Sequence, residues 1–307
     1  MSFSAENQRK LAGVLPVFQT PYHADETFDV ETLGRQFDWL YDNGADGVVL
    51  AMVSEVLRLG SEERDELTTH TCRLARKRGV VVISVGAESS RVAERHARHA
   101  EAAGADGVMA IPPVSIGVGE SELRKYFERI LKAIKIPVIV QDASGYVGRP
   151  MPVEFQAGLF NEYGHRVMFK PEATPIGPRL TALRDATAGK ASVFEGTGGI
   201  ALVDSFRRGI VGTMPGADLI KAIVALWRAL VAGDDRRAYQ VWLPLGALVG
   251  MQNSLDAFLS IEKYLLVKQG VFKNTLVRGP VAYTTDEATR AEVDRLFDLI
   301  IRAVEGK

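Results

Sequence analysis

A (β/α)8 TIM barrel with additional C-terminal helices is the α/β fold class that the 307 residues predict, on three observations. Short β-branched runs alternate with longer amphipathic stretches, which points to βα units and a parallel sheet. Most of the runs are continuous in Val, Ile, Met and Phe rather than alternating, which suits strands buried on both faces. A helix-stop signature also recurs sixty positions apart, the length of two βα units.

The runs number eight: Val14 to Phe18, Val48 to Ala51, Val80 to Val85, Val108 to Ile111, Val138 to Val140, Val167 to Phe169, Ser192 to Phe194 and Ile210 to Val211. Into the second leads Asn43-Gly44-Ala45-Asp46-Gly47-Val48, a helix closing on a left-handed glycine. Ser61-Glu62-Glu63 then opens a helix with a cap-competent serine and early acids, and Arg76-Lys77-Arg78-Gly79 closes it before Val80. Ala103-Gly104-Ala105-Asp106-Gly107-Val108 repeats the first stop. Ser121-Glu122 marks the next helix start, and Pro152 and Pro175 sit where first-turn prolines are tolerated. From Asp234 the chain reads as helical throughout, with no Gly/Ser/Pro-rich linker before it. The expected organisation is a barrel over 1–233 with a helical extension over 234–307 packed on it as one unit. An open doubly wound sheet shares the same alternation.

Composition narrows the function. Thirty-seven basic and 38 acidic residues leave a formal charge of −1 with no long like-charge block, so nucleic acid is not an expected partner. Cys72 is the only cysteine, which removes internal disulfides and thiolate clusters and fits a reducing compartment. The first twelve residues lack a hydrophobic signal core, and no apolar run approaches the roughly 20 residues a bilayer span needs. The expectation is a cytoplasmic protein without membrane contact. No HExxH or calcium-loop pattern occurs, so neither metal nor cofactor is expected, and His96 and His99 read as part of a solvated, Arg-rich helix face.

In a barrel of this kind the active site lies at the carboxyl ends of the strands. The polar residues directly after the runs are Ser54 and Glu55, Gln141 and Asp142, Lys170 and Glu172, and Glu195 followed by Gly196, Gly198 and Gly199. Lys170 is the sharpest of them. An amine at the end of Val-Met-Phe points into an enclosed mouth, where desolvation favours a neutral nucleophile; the alternative is a strand-end lysine reaching for solvent. Pro171 keeps Lys170 extended, which puts Glu172 on the same side to move protons, unless it is simply salt-bridged or solvated. The glycine stretch 196–199 is a weak phosphate signal, and close backbone approach to another small anion is as good a reading.

At these residues the chain resembles the dihydrodipicolinate synthase and N-acetylneuraminate lyase family, from about Leu11 to the helical tail. The resemblance implies a TIM barrel, a homo-tetramer, and an imine-forming lysine closing the sixth strand, here Lys170 in Phe169-Lys170-Pro171-Glu172. It departs from the synthase itself. Gly-Thr-Thr-Gly-Glu becomes Ala51-Met52-Val53-Ser54-Glu55, Tyr-Asn after strand five becomes Gln141-Asp142, and an aldehyde-gripping arginine aligns with Tyr146. The L-2-keto-3-deoxyarabonate dehydratase branch is similar at all four loops, through Ser54-Glu55, Val140-Gln141-Asp142-Ala143, Phe169-Lys170-Pro171-Glu172 and Glu195-Gly196, and again at Tyr239-Gln240-Val241-Trp242-Leu243-Pro244-Leu245. The resemblance implies a small 2-keto acid substrate, with Lys170, Glu172 and Gln141 catalytic and Val53, Ser54, Glu55, Asp142, Glu195, Gly196 and Gly198 binding it. Dehydration of a 2-keto-3-deoxy sugar acid is favoured. A pyruvate-dependent aldolase and a non-catalytic keto-acid binder remain alternatives.

Overall fold

The computed structural model describes residues 10–145 and 147–306; Tyr146 and the first nine residues lie outside them. Eight parallel strands follow one another among the described residues: β1 (Gly13–Val14), β2 (Gly47–Leu50), β3 (Val80–Ser84), β4 (Gly107–Ala110), β5 (Val138–Asp142), β6 (Val167–Pro171), β7 (Phe194–Glu195) and β8 (Gly212–Thr213). Regular ladders run β2-β3-β4-β5-β6 and β1-β8-β7. Single parallel bridges, Val17 to Val49 and Phe169 to Val193, join the two sheets at both seams, so the neighbour order is that of the predicted barrel.

The first and last strands differ from the apolar runs that mark them. Pro16 has no N–H to give a ladder, so β1 pairs at Gly13 and Val14 and resumes at Val17 as two single bridges, to Val49 and Gly216. At β8 the pairing falls on Gly212 and Thr213 instead of Ile210 and Val211, because backbone crowds the barrel there: a Cβ on Gly212 would stand 2.4 Å from the Gly13 carbonyl.

Each strand is followed by a helix: α1 (Val30–Asp42), α2 (Ser61–Ala75), α3 (Ser90–Ala103), α4 (Glu120–Ala133), α5 (Val153–Tyr163), α6 (Ile176–Ala186), α7 (Leu202–Arg207) and α8 (Ile220–Val231). Gly44 and Gly104 are left-handed after α1 and α3, as expected. After α2 the left-handed residue is Lys77, and Gly79 answers a different need: a Cβ there would stand 2.5 Å from the Asp46 carbonyl. Gly60 and Gly119, not Ser61 and Ser121, cap α2 and α4, and Pro152 and Pro175 occupy the cap positions of α5 and α6. His96 is not solvated; it is buried, its Nδ1 2.9 Å from Asp65 Oδ1.

Side chains sort by parity. Val49, Ala51, Met109, Ile139, Met168, Phe194 and Met214 fill the barrel interior. Their neighbours Val48, Leu50, Val108, Val140, Val167 and Phe169 pack outward against the helices. Three more helices follow, α9 (Asp235–Val249), α10 (Leu255–Lys268) and α11 (Glu287–Glu305), and Leu245, Ile261 and Val293 join the same helix-side core. The expectation of an uninterrupted helical tail fails over 269–286, which is irregular. Gly270 turns left-handed, and the segment is tied to barrel loops instead: Asn274 Nδ2 donates to the Tyr22 carbonyl at 3.0 Å and the Arg278 N–H to Glu55 Oε2 at 3.0 Å.

Candidate active site

The interior file of side chains ends at the carboxyl mouth in charge. Continuing the parity of Met168, Lys170 and Glu172 both face inward, and Glu172 N–H donates to the Asp142 carbonyl, which keeps the chain extended past Pro171. Lys170 Nζ lies 2.8 Å from Glu172 Oε1, and both residues are 3% exposed. Register places Gln141 of β5 directly beside Lys170 of β6. Gln141 Nε2 donates to Glu172 Oε2 at 2.6 Å, while its Oε1 is buried without a partner. Burial pushes the Glu172 carboxyl above the ordinary range; Lys170 and Gln141 act against that push.

These three groups line a cavity of about 440 Å³, including its open mouth, together with Val53, Gly196 and Gly198. Gly196 is there for room. A Cβ would stand 2.5 Å from Lys170 Cε and 2.6 Å from Nζ. Gly198 and Gly199, both left-handed, let α9 approach, since Cβ atoms there would meet Val249 and Leu245 at 2.9 Å. The Thr197 N–H already donates to Glu195 Oε1 at 2.6 Å and is not available to an anion, while the glycines give the close packing.

Four expected contacts do not line the cavity, and strand parity explains two of them. Asp142 and Glu195 follow inward-facing Gln141 and Phe194, and therefore turn away; Ser54 closes the 3-10 turn Met52–Ser54. The Ser54 hydroxyl donates to the Phe18 carbonyl at 2.5 Å and accepts from Ala51 N–H. Asp142 accepts from Met151 N–H at 2.9 Å and faces Arg179; Glu195 Oε2 accepts from the Thr213 hydroxyl at 2.5 Å. Glu55 sits beyond a short 3-10 turn (Met52–Ser54), left-handed at φ 63°, and forms a fully buried ion pair with Lys263 at 2.5 Å. All four are buried around the cavity and held by protein partners. The Met52 and Val53 N–H groups stand at the open amino end of that turn.

The sequence reading missed what α10 supplies. Leu255, Phe258 and Glu262 line the same cavity, as do Val17 and Gly216. Parity with Val49 and Met214 would have found the barrel residues, but nothing local marks the tail as a wall of the site. Among the described residues no group of three or more His, Cys, Asp or Glu is placed to hold a metal ion, and no helix is long and apolar enough to cross a membrane.

Comparison with known proteins gives this geometry its context. L-2-keto-3-deoxyarabonate dehydratase of Azospirillum brasilense is 30% identical over 305 residues, covering 94% of this chain and 96% of that protein. An Escherichia coli K12 protein named "Probable 2-dehydro-3-deoxy-D-pentonate aldolase" is 25% identical, covering 91% and 94%. The crystal structure of dihydrodipicolinate synthase from Rhodopseudomonas palustris superposes with a TM-score of 0.85 at 27% identity, covering 94% and 97% of the two chains. The sequence profile of the dihydrodipicolinate synthetase family matches residues 10–298, and the chain belongs to that family of lyases.

Proposed function

We propose that this lyase dehydrates a 2-keto-3-deoxy sugar acid through an imine on Lys170. The observation that carries the reading is the buried Lys170–Glu172–Gln141 cluster in the wall of a ligand-sized cavity. The Lys170 amine attacks the C2 ketone and water leaves, giving an iminium that draws electrons from C3. Glu172 takes the C3 proton. A carboxyl held above the ordinary range by burial is a stronger base than an exposed one, and it lies within reach of the imine nitrogen. The resulting enamine expels the C4 hydroxyl with acid assistance, and hydrolysis frees product and lysine. The substrate carboxylate is held by the Met52 and Val53 N–H groups, in place of the Ser54 hydroxyl, and the unpartnered Gln141 Oε1 accepts from a sugar hydroxyl. In this reading the enzyme is a cytoplasmic homo-tetramer, as the resemblance implies.

Cleavage between C3 and C4 to pyruvate and an aldehyde is the second reading, supported by the likeness to the E. coli protein. Incubation with L- and D-2-keto-3-deoxypentonates, followed by NMR, separates them. Dehydration gives a 2-keto acid that retains every carbon. Stoichiometric pyruvate would establish the aldolase instead, and turnover of neither acid would leave a keto-acid binder.

A further inference from the structure

The Glu262 carboxyl lines the Lys170 cavity but has no part in the chemistry above. It is 1% exposed, and its Oε2 accepts from Gln19 Nε2 at 2.5 Å. Gly216, after β8, is bare to admit it: a Cβ there would stand 2.0 Å from Glu262 Oε1 and 3.0 Å from Asp218 Oδ1. Two carboxyls from separate elements thus crowd one glycine. Asp218 is buried too, and its Oδ2 has no hydrogen-bond partner. The cation adjoining Glu262, Lys263, is committed to Glu55 at 2.5 Å and to the Leu276 carbonyl at 2.5 Å.

A desolvated pair of carboxyls whose neighbouring cation is bound elsewhere retains a proton, because burial denies a second negative charge its hydration; Lys263 beside Glu262 and the hydrogen bonds to Asp218 act against that push without overcoming it. Burial, then the Asp218 charge, raise Glu262 well above the ordinary carboxyl range, and burial pushes Asp218 up to about 7. Gly196 and Gly216 therefore make room for unlike tools in one cavity, an amine with its base and a neutral acid.

We propose, building on the Lys170 imine reading, that Glu262 is the general acid that protonates the C4 hydroxyl of the substrate as it departs. Once Glu172 has taken the C3 proton, the enamine nitrogen lone pair re-forms the C2–N double bond and the C2–C3 π pair becomes the C3–C4 double bond. The C4–O bond breaks with its electron pair on oxygen. That oxygen takes the Glu262 proton and leaves as water; Glu262 remains as carboxylate and regains a proton from solvent. Retro-aldol cleavage has the opposite need, a base to remove the C4 hydroxyl proton, so a proton-bearing Glu262 steers the shared enamine toward dehydration.

The test is Glu262→Gln, which keeps the shape and the Gln19 contact but holds no acidic proton. Borohydride trapping of pyruvate on Lys170, and exchange of the pyruvate methyl protons in D2O followed by NMR, involve no leaving group. Both should stay within about two-fold of the parent while dehydration falls by about 100-fold or more, the scale of a lost general acid. Dehydration within a few-fold of the parent would overturn the proposal, and so would an equal fall of trapping, exchange and dehydration, which would make Glu262 a scaffold residue. Failure of the parent itself to trap pyruvate on Lys170 would bring down the imine reading, and this step with it.

Discussion

Lys170 and Glu172 meet in the cavity because they share a side of β6, and the period of two that puts them there was legible in the sequence. The same period, carried back to Met168 or across to Gln141, also separates cavity residues from supports. Read from polarity alone, Asp142 and Glu195 look equivalent to Gln141; read from parity, they face away. For Glu172 the account predicts that Glu172→Gln leaves borohydride trapping on Lys170 intact while turnover falls by roughly 100-fold, as expected of a lost acid–base group. Trapping mass spectra beside steady-state rates check this, and unchanged turnover would remove Glu172 from the mechanism.

The elements of the barrel were readable wherever a local rule decides them. The Asn43–Val48 and Ala103–Val108 repeats mark helix stops, and the structure adds their purpose. Asp46 Oδ2 accepts from Val14 N–H and Asp106 Oδ2 from Val81 N–H, each at 2.8 Å, tying a strand start to the strand before it. What could not be read was long-range. The irregular 269–286 segment and α10 hold each other, and both are tied to partners more than 200 positions away through the Arg278–Glu55 hydrogen bond and the Lys263–Glu55 pair that anchors α10 beneath the β2 loop. Removing one member of a buried pair leaves an uncompensated charge and costs about 3–5 kcal/mol. Lys263→Met should therefore destabilise strongly in chemical denaturation. The double variant Lys263→Met with Glu55→Gln should recover part of the loss, and equal stability of parent and single variant would show the pair to be passive.

For the whole molecule, the carboxyls enclosed between barrel and tail make stability depend on pH. Asp218 is pushed up to about 7 by burial, so the folded state keeps a proton there that the unfolded chain loses near 4. A raised acid contributes stability that is complete below the unfolded value and is lost as pH rises through the folded one. The melting temperature should accordingly fall between about pH 4 and pH 7, and Asp218→Asn should flatten that decline. Parallel declines in calorimetry for parent and variant would contradict it.

The fold class itself was available from alternation and punctuation, because eight βα units obey local rules. The site was available only at its barrel half, since the tail closes over it by tertiary packing. Reduction with borohydride in the presence of pyruvate, followed by peptide mass mapping, puts the Lys170 imine itself to the test. The account predicts one reduced pyruvate adduct, on the peptide carrying Lys170; an adduct on any other lysine, or none, would contradict it.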